Sequence, residues 1–234
     1  MVIDDKLALL TNGDLVVTGR LVDASNATLY AEVTNGTESM NCIYKPIAGE
    51  RPLWDFPEGA LAHREYAAYV LSERLGFDVV PLTILRDGPY GFGMVQEWIE
   101  IDESIDLSIY FSSNNPDLRS MAIFDAIINN TDRKIGHLLP TVSGHLYGCD
   151  HGVTFHAQDK LRTVLWQWSG DPLTENEITM LRQALVKLDS EMDLSPYLTQ
   201  AEREALILRV QRLIATAVMP VPNPDWPAVP WPAF

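Results

Sequence analysis

Apolar positions along this chain recur with two different spacings, short in the first hundred residues and helical in most of the remainder. Leu7, Leu9 and Leu10 suggest a short N-terminal helix, and Asn12-Gly13-Asp14 is a turn signal. The runs Leu15 to Leu21 and Thr28 to Val33, joined through Asp23-Ala24-Ser25-Asn26, predict a β-hairpin. Asn35-Gly36 then turns the chain into Cys42-Ile43-Tyr44-Lys45, which makes a three-stranded meander. From Ala60 the spacing becomes helical through Leu61, Tyr66, Tyr69, Val70 and Leu75 and stops at Gly76. Two further strands, Val79 to Leu85 and Phe92 to Trp98, joined through Asp87-Gly88-Pro89, complete a five-stranded sheet with one helix against it.

Beyond about residue 100 the pattern is mainly helical, with Pro116 to Asn129, Glu175 to Leu188 and Gln200 to Ala217 carrying the periodicity. A hairpin-like stretch from Leu138 to Cys149, turning at Ser143-Gly144, lies between them. The predicted class is therefore α+β: a sheet-based lobe over residues 1–99 and a helical lobe over 100–218. Residues 219–234 form a tail with prolines at 220, 222, 224, 227, 230 and 232 and tryptophans at 226 and 231, which cannot be helical. It reads as an extended strap packing its tryptophans onto the second lobe, or as a polyproline-type ligand for a partner.

Composition narrows the function. The 234 residues can bury a substantial core, and 47% apolar with 21% charged is the balance of a globular protein. A net charge of -15 argues against nucleic acid and against unaided docking on an anionic membrane. No window approaches the roughly 18 apolar residues of a membrane span, and the acidic N-terminus lacks the features of a signal peptide, so the expected location is cytoplasmic. Cys42 and Cys149 are expected as small buried thiols rather than a disulfide.

Candidate chemistry is concentrated where the apolar run Phe124 to Ile128 passes into Asn129-Asn130-Thr131-Asp132-Arg133-Lys134-Ile135-Gly136-His137. A second acidic site, Asp150-His151-Gly152, comes after the short hairpin and can fold back onto the first. One aspartate that takes a hydroxyl proton and another that holds a divalent ion form a minimal set for phosphoryl transfer. Lys45, at the end of the third strand, suits phosphate oxygens, and Glu65 in the next helix can hold it by an ion pair.

In that chain order, Lys45, Glu65, Asp132-Arg133 and Asp150 with Gly152 resemble the phosphatidylinositol 3- and 4-kinase-like atypical kinases, and especially an uncharacterised actinobacterial branch. The likeness runs from about Leu15 to Leu188, and Asp125 through Asp132-Arg133 is most similar to the catalytic stretch of type II phosphatidylinositol 4-kinases. The resemblance implies a two-lobed, protein-kinase-like fold that uses ATP with Mg²⁺ or Mn²⁺. It implies catalytic roles for Asp132 and Lys45, and metal binding by Asp150. It also implies a hinge in which Glu97 and Ile99 meet adenine with Trp98 nearby, and a phosphate-covering loop at Ser25 and Asn26.

Two departures matter. His137 stands where the family has a metal-binding asparagine, as a metal ligand or as a phosphate or structural contact, and an imidazole shifts preference from Mg²⁺ toward Mn²⁺. The covering loop has no glycine run. The first expectation is phosphoryl transfer from ATP to an unidentified acceptor, protein or small molecule rather than lipid. The alternatives are a nucleotide-binding pseudokinase or regulatory module and, third, transfer of the nucleotide itself.

Overall fold

The computed structural model describes residues 2–21, 26–57 and 59–234. Strands β1 (Asp14–Arg20), β2 (Leu29–Thr34), β3 (Ser39–Pro46), β4 (Thr83–Gly88) and β5 (Gly91–Glu97) form one antiparallel sheet in the order β1-β2-β3-β5-β4. Helices α1 (Ile3–Asn12), α2 (Leu61–Leu75), α3 (Leu107–Tyr110), α4 (Pro116–Ile128), α5 (Glu175–Ser190) and α6 (Gln200–Thr216) complete the α+β architecture, with a small hairpin of β6 (Leu138–Pro140) and β7 (Leu146–Gly148).

Local chemistry accounts for most boundaries. Asn35 turns β2 into β3 by accepting the Thr37 and Glu38 amides on its side chain, while Gly36 takes a φ of +88°. Gly76 ends α2 in the left-handed region, which costs glycine least. Helices α5 and α6 each begin with a reciprocal Thr/Glu cap, Thr174 with Glu177 and Thr199 with Glu202. The start of α2 has no cap of its own; Glu50, from a preceding loop, accepts the Leu61 and Ala62 amides at 3.2 and 2.8 Å.

One strand differs from expectation. The regular ladder of β4 begins at Thr83, preceded by one bond from the Glu97 amide to the Leu82 carbonyl at 2.8 Å, and residues 79–81 lie outside it. The Ser72 hydroxyl of α2 accepts the Val79 and Val80 amides at 2.8 and 3.1 Å, and Pro81 has no amide to give a ladder. The turn into β5 accordingly falls at Gly88-Pro89-Tyr90-Gly91.

Buried apolar side chains form two clusters. The smaller joins Leu9 and Leu10 of α1 to Ala31, Val33, Cys42, Tyr44, Ile84 and Val95 on the sheet face turned away from Lys45. The larger is built around α4, where Leu118, Met121, Phe124 and Ile127 meet α2, α5 and α6. Tyr69 of α2 packs against both, so this helix is shared. Adjacent residues of α2 also reach in different directions: Arg64 pairs with Glu202 of α6, and Glu65 with Lys45 of β3.

The tail is a strap. Ala228 accepts the Thr163 amide and the Trp166 indole at 3.0 and 2.8 Å, and Ala233 accepts the Ile135 amide at 2.9 Å. Trp226 lies over Lys160, whereas Trp231 is 91% exposed, so only the first tryptophan packs as expected. Cys42 is buried, but Cys149 is only half-buried; both are free, and burial pushes each thiol up to about 12.

Candidate active site

A cleft of about 370 Å³ lies between the sheet and the helical part, lined by residues from β3, α2, the loop before α2, the Asp132 and Asp150 loops and the tail. Lys45 is part of that lining. Its ammonium donates to Glu65 Oε1 at 2.6 Å and to Asp150 Oδ1 at 2.9 Å. Burial alone would lower the Lys45 pKa; the two carboxylates outweigh it and raise the pKa, so the charge is kept. Glu65, 2% exposed, uses its other oxygen to accept the His151 amide at 2.8 Å, which fixes the Asp150 loop to α2.

Asp150 has a left-handed backbone, φ +59°, which turns its carboxylate back toward Lys45. The Lys45 ammonium holds that carboxyl well below the usual range, against burial. Its second oxygen, Oδ2, lies 3.6 Å from His137 Nε2. Burial depresses His137 to about 4, so the imidazole is neutral at pH 7. Donor atoms of Asp132, His137 and Asp150 all lie within 4.8 Å of one another.

Asp132 is in the opposite electrostatic situation. Burial raises its pKa, the nearby Asp150 charge adds to that, and Lys134, with an ammonium 3.4 Å from Oδ2, only partly offsets it. Two neighbouring carboxylates are thus pushed apart, one held ionised and one made more basic. The Asp132 loop is shaped by Asn130, which accepts the Asp132 amide at 2.9 Å and donates to Asp125 at 2.9 Å.

A wholly buried pair ties the two acidic loops together. Arg133 makes a forked contact with Asp125 of α4, Nε to Oδ2 and Nη2 to Oδ1 both at 3.0 Å. It also donates to the Cys149 carbonyl at 3.0 Å and meets His151 Nε2 at 2.7 Å. A guanidinium has only donors, so His151 must accept through Nε2 and carry its proton on Nδ1. Burial and the adjacent Arg133 charge lower the His151 pKa well below 6.5, consistent with that neutral ring.

Other expected residues are placed less uniformly. Asn26 lines the cleft, but its side chain is engaged by the Arg51 amide at 2.8 Å. Ser25 lies outside the described residues. Glu97, Trp98 and Ile99 stand at and just beyond the end of β5 without lining the cleft. The Glu97 carboxylate pairs with Lys6 of α1, and its amide with Leu82. Trp98 is edge-on to Tyr30 at 5.0 Å, its amide given to Asn41, while the Ile99 amide has no protein partner among the described residues.

Arg162 and Lys160 escaped the sequence reading. Arg162 Nε donates to the Thr131 carbonyl at 2.6 Å, immediately before Asp132. Lys160 pairs with Asp55 at 2.7 Å, with its ammonium 4.8 and 4.9 Å from the ring centroids of Trp54 and Trp226. The sequence signal available was weak: two basic residues in an acidic chain, shortly after Asp150.

No family model matches this chain. It is 41% identical to "Protein Rv2133c" of Mycobacterium tuberculosis over 268 aligned positions, covering 99% of this chain and 96% of that one. A solved structure described as a Helicobacter pylori proinflammatory kinase, CtkA, superposes with a TM-score of 0.49 at 12% identity, covering 90% of this chain and 94% of the other. That superposition is too loose to bear on residues or chemistry.

Proposed function

The chain belongs to the family of the Mycobacterium tuberculosis protein Rv2133c, and we propose that it is an ATP-dependent phosphotransferase of the phosphatidylinositol 3-/4-kinase-like kind. In this reading it moves the γ-phosphoryl group of ATP to a hydroxyl of an acceptor. The observation that carries it is the convergence of Lys45, Glu65, Asp132 and Asp150 on one cleft, with a His137 ring nitrogen within 4.8 Å of both aspartates and the two aspartates pushed in opposite directions.

The donor set fits a divalent cation. Two carboxylates and a neutral imidazole stand close enough to share one, and the nitrogen favours Mn²⁺ over Mg²⁺. A cation held there would neutralise phosphate oxygens as the phosphoryl group moves. For Nε2 to be a ligand, His137 must carry its proton on Nδ1, which gives up only a long 3.4 Å bond from the Lys134 amide.

Lys45 then offers a compact charge to phosphate oxygens, aimed by Glu65. Asp132 orients the acceptor hydroxyl and takes its proton, and its raised pKa suits it to do so. By the family resemblance, backbone groups near Glu97 and Ile99, with Trp98 beside them, would meet adenine from just outside the cleft lining, and the loop of Ser25 and Asn26 would cover the phosphates. The charge of -15 supports a soluble acceptor, protein or small molecule, over nucleic acid or a lipid in an anionic bilayer. Among the described residues no helix is long and apolar enough to cross a membrane.

A second reading, a nucleotide-responsive module without transfer, draws on the way Lys45 is already satisfied by both carboxylates. Incubation with Mn²⁺ and either γ- or α-labelled ATP separates the possibilities. Transfer of γ-label that Asp132→Asn abolishes supports the kinase. A nucleotide-dependent rise in Tm with no transfer selects the module, and transfer of α-label selects nucleotidyl transfer.

A further inference from the structure

Most charges lining the cleft are already engaged. Lys45 is held by Glu65 and Asp150, Lys160 by Asp55, and Glu50 by the first amides of α2. Arg51 and Arg162 are the exceptions among the described residues, and of the two Arg162 is the one fixed beside Asp132. Its Nε is fixed on the Thr131 carbonyl at 2.6 Å, and neither terminal nitrogen has a partner among the described residues. The guanidinium is therefore anchored one residue from Asp132, lining the cleft, with its two NH₂ groups unused. Trp226 backs it, with the guanidinium carbon 5.8 Å from the ring centroid. Arg51 and Trp54 also line the cleft, and Trp54 is 87% exposed.

The geometry points to an anion subsite at Arg162, beside the proton-accepting Asp132, that takes a phosphate or carboxylate group of the acceptor itself. This rests on the phosphotransferase reading and deepens it: the acceptor is a hydroxyl compound that already carries an anionic group. A planar guanidinium with two free NH₂ groups matches an oxyanion in a forked contact, which a lone ammonium would not do. The side chain is held before the ligand arrives, so little further ordering is needed on binding. The placement also separates the two ligands. Lys45 serves the phosphate donor from β3, and Arg162 is bonded to the loop that carries Asp132, where a hydroxyl must approach. In a chain of net charge -15, an unpaired arginine fixed beside an aspartate is poorly explained by packing alone.

The test uses the full chain saturated with Mn²⁺ and a non-hydrolysable ATP analogue, titrated with inorganic phosphate by calorimetry. Saturable one-to-one binding is expected, at least tenfold weaker in Arg162→Gln, while the analogue's own affinity changes less than twofold. Arg162→Lys, which keeps the charge but loses the fork, should recover only part of the binding. A parallel arm measures co-sedimentation with phosphatidylcholine vesicles containing phosphatidate: retention lost in Arg162→Gln assigns a lipid-borne phosphate, and phosphate binding without retention assigns a soluble one. Absence of saturable phosphate binding overturns the subsite, and so does an equal loss of nucleotide affinity in Arg162→Gln. If the analogue itself does not bind, the phosphotransferase reading fails instead. Phosphate titration of the nucleotide-free chain then decides the subsite by the same arginine variants.

Discussion

The two walls of the cleft are finished differently. On the Lys45 wall the three central charges meet one another: Glu65 gives one oxygen to Lys45 and the other to the His151 amide, and Asp150 meets Lys45 in turn. On the Asp132 wall the carboxylate has a single loose ion pair and Arg162 has two idle NH₂ groups. Paired groups fix geometry before a ligand comes, and groups left unpaired are those a ligand can satisfy. The difference assigns preorganisation to one wall and recognition to the other.

The strongest test of that division is Asp132→Asn. Transfer should fall by about 10²–10⁴-fold, while affinity for a non-hydrolysable ATP analogue stays within a few-fold of the parent. Because burial raises the Asp132 pKa, its ionised form is less stable in the fold than in the unfolded chain above that pKa. The same variant should therefore unfold at an equal or higher temperature at pH 7. Lost transfer with a clear loss of stability would mean that Asp132 belongs with the structural wall.

Asp125→Asn examines what stands behind both walls. It leaves the buried Arg133 without its counter-charge and should cost about 3–5 kcal/mol in urea unfolding. A cost below about 1 kcal/mol, the range of an exposed pair, would show that the two acidic loops are held by something else.

Acid provides a third test. His137 is held down to about 4 against an ordinary 6.5, and His151 is lowered in the same direction, so both stay neutral in the fold while the unfolded chain protonates. Stability should fall as pH drops below 6.5 and continue falling to about 4, with His137 alone contributing about 3 kcal/mol. His137→Gln should flatten that slope. An unchanged slope in the variant would place His137 in a wetter setting than its burial indicates.

The paired wall was the more legible of the two in the sequence. Lys45, Glu65 and Asp150 stand out, together with Asp132 opposite them, because ionisable residues at a strand end, inside a helix and after turns have few structural reasons to be there together. Arg162 was not visible, because its meaning comes from a return of the chain onto Thr131 that no local pattern encodes. Asp125 left a readable trace as an acid within the apolar run of α4, which in a core demands a partner, and Arg133 is that partner. The shortened start of β4 was hidden for a similar reason: Ser72 lies a turn before the end of another element.

The smallest expected effects lie in the tail and discriminate its two tryptophans. Trp226→Ala removes the ring over Lys160 and behind Arg162 and should cost about 0.5–2 kcal/mol of stability. Trp231→Ala, at a side chain almost wholly in solvent, should stay within about 0.5 kcal/mol by thermal denaturation. Equal effects would mean that the strap is not part of the recognition wall.

Helix α2 has a mechanical consequence. Successive residues on a helix point about 100° apart, and here Arg64 is claimed by α6 while Glu65 is claimed by β3 and the Asp150 loop. Turning the helix to release one grip strains the other, so α2 is keyed against rotation from two sides. The aim of the Lys45 ammonium is thereby referred to α6, an element that never touches the cleft, and a loosened Arg64–Glu202 contact would be felt first as play in the position of Lys45.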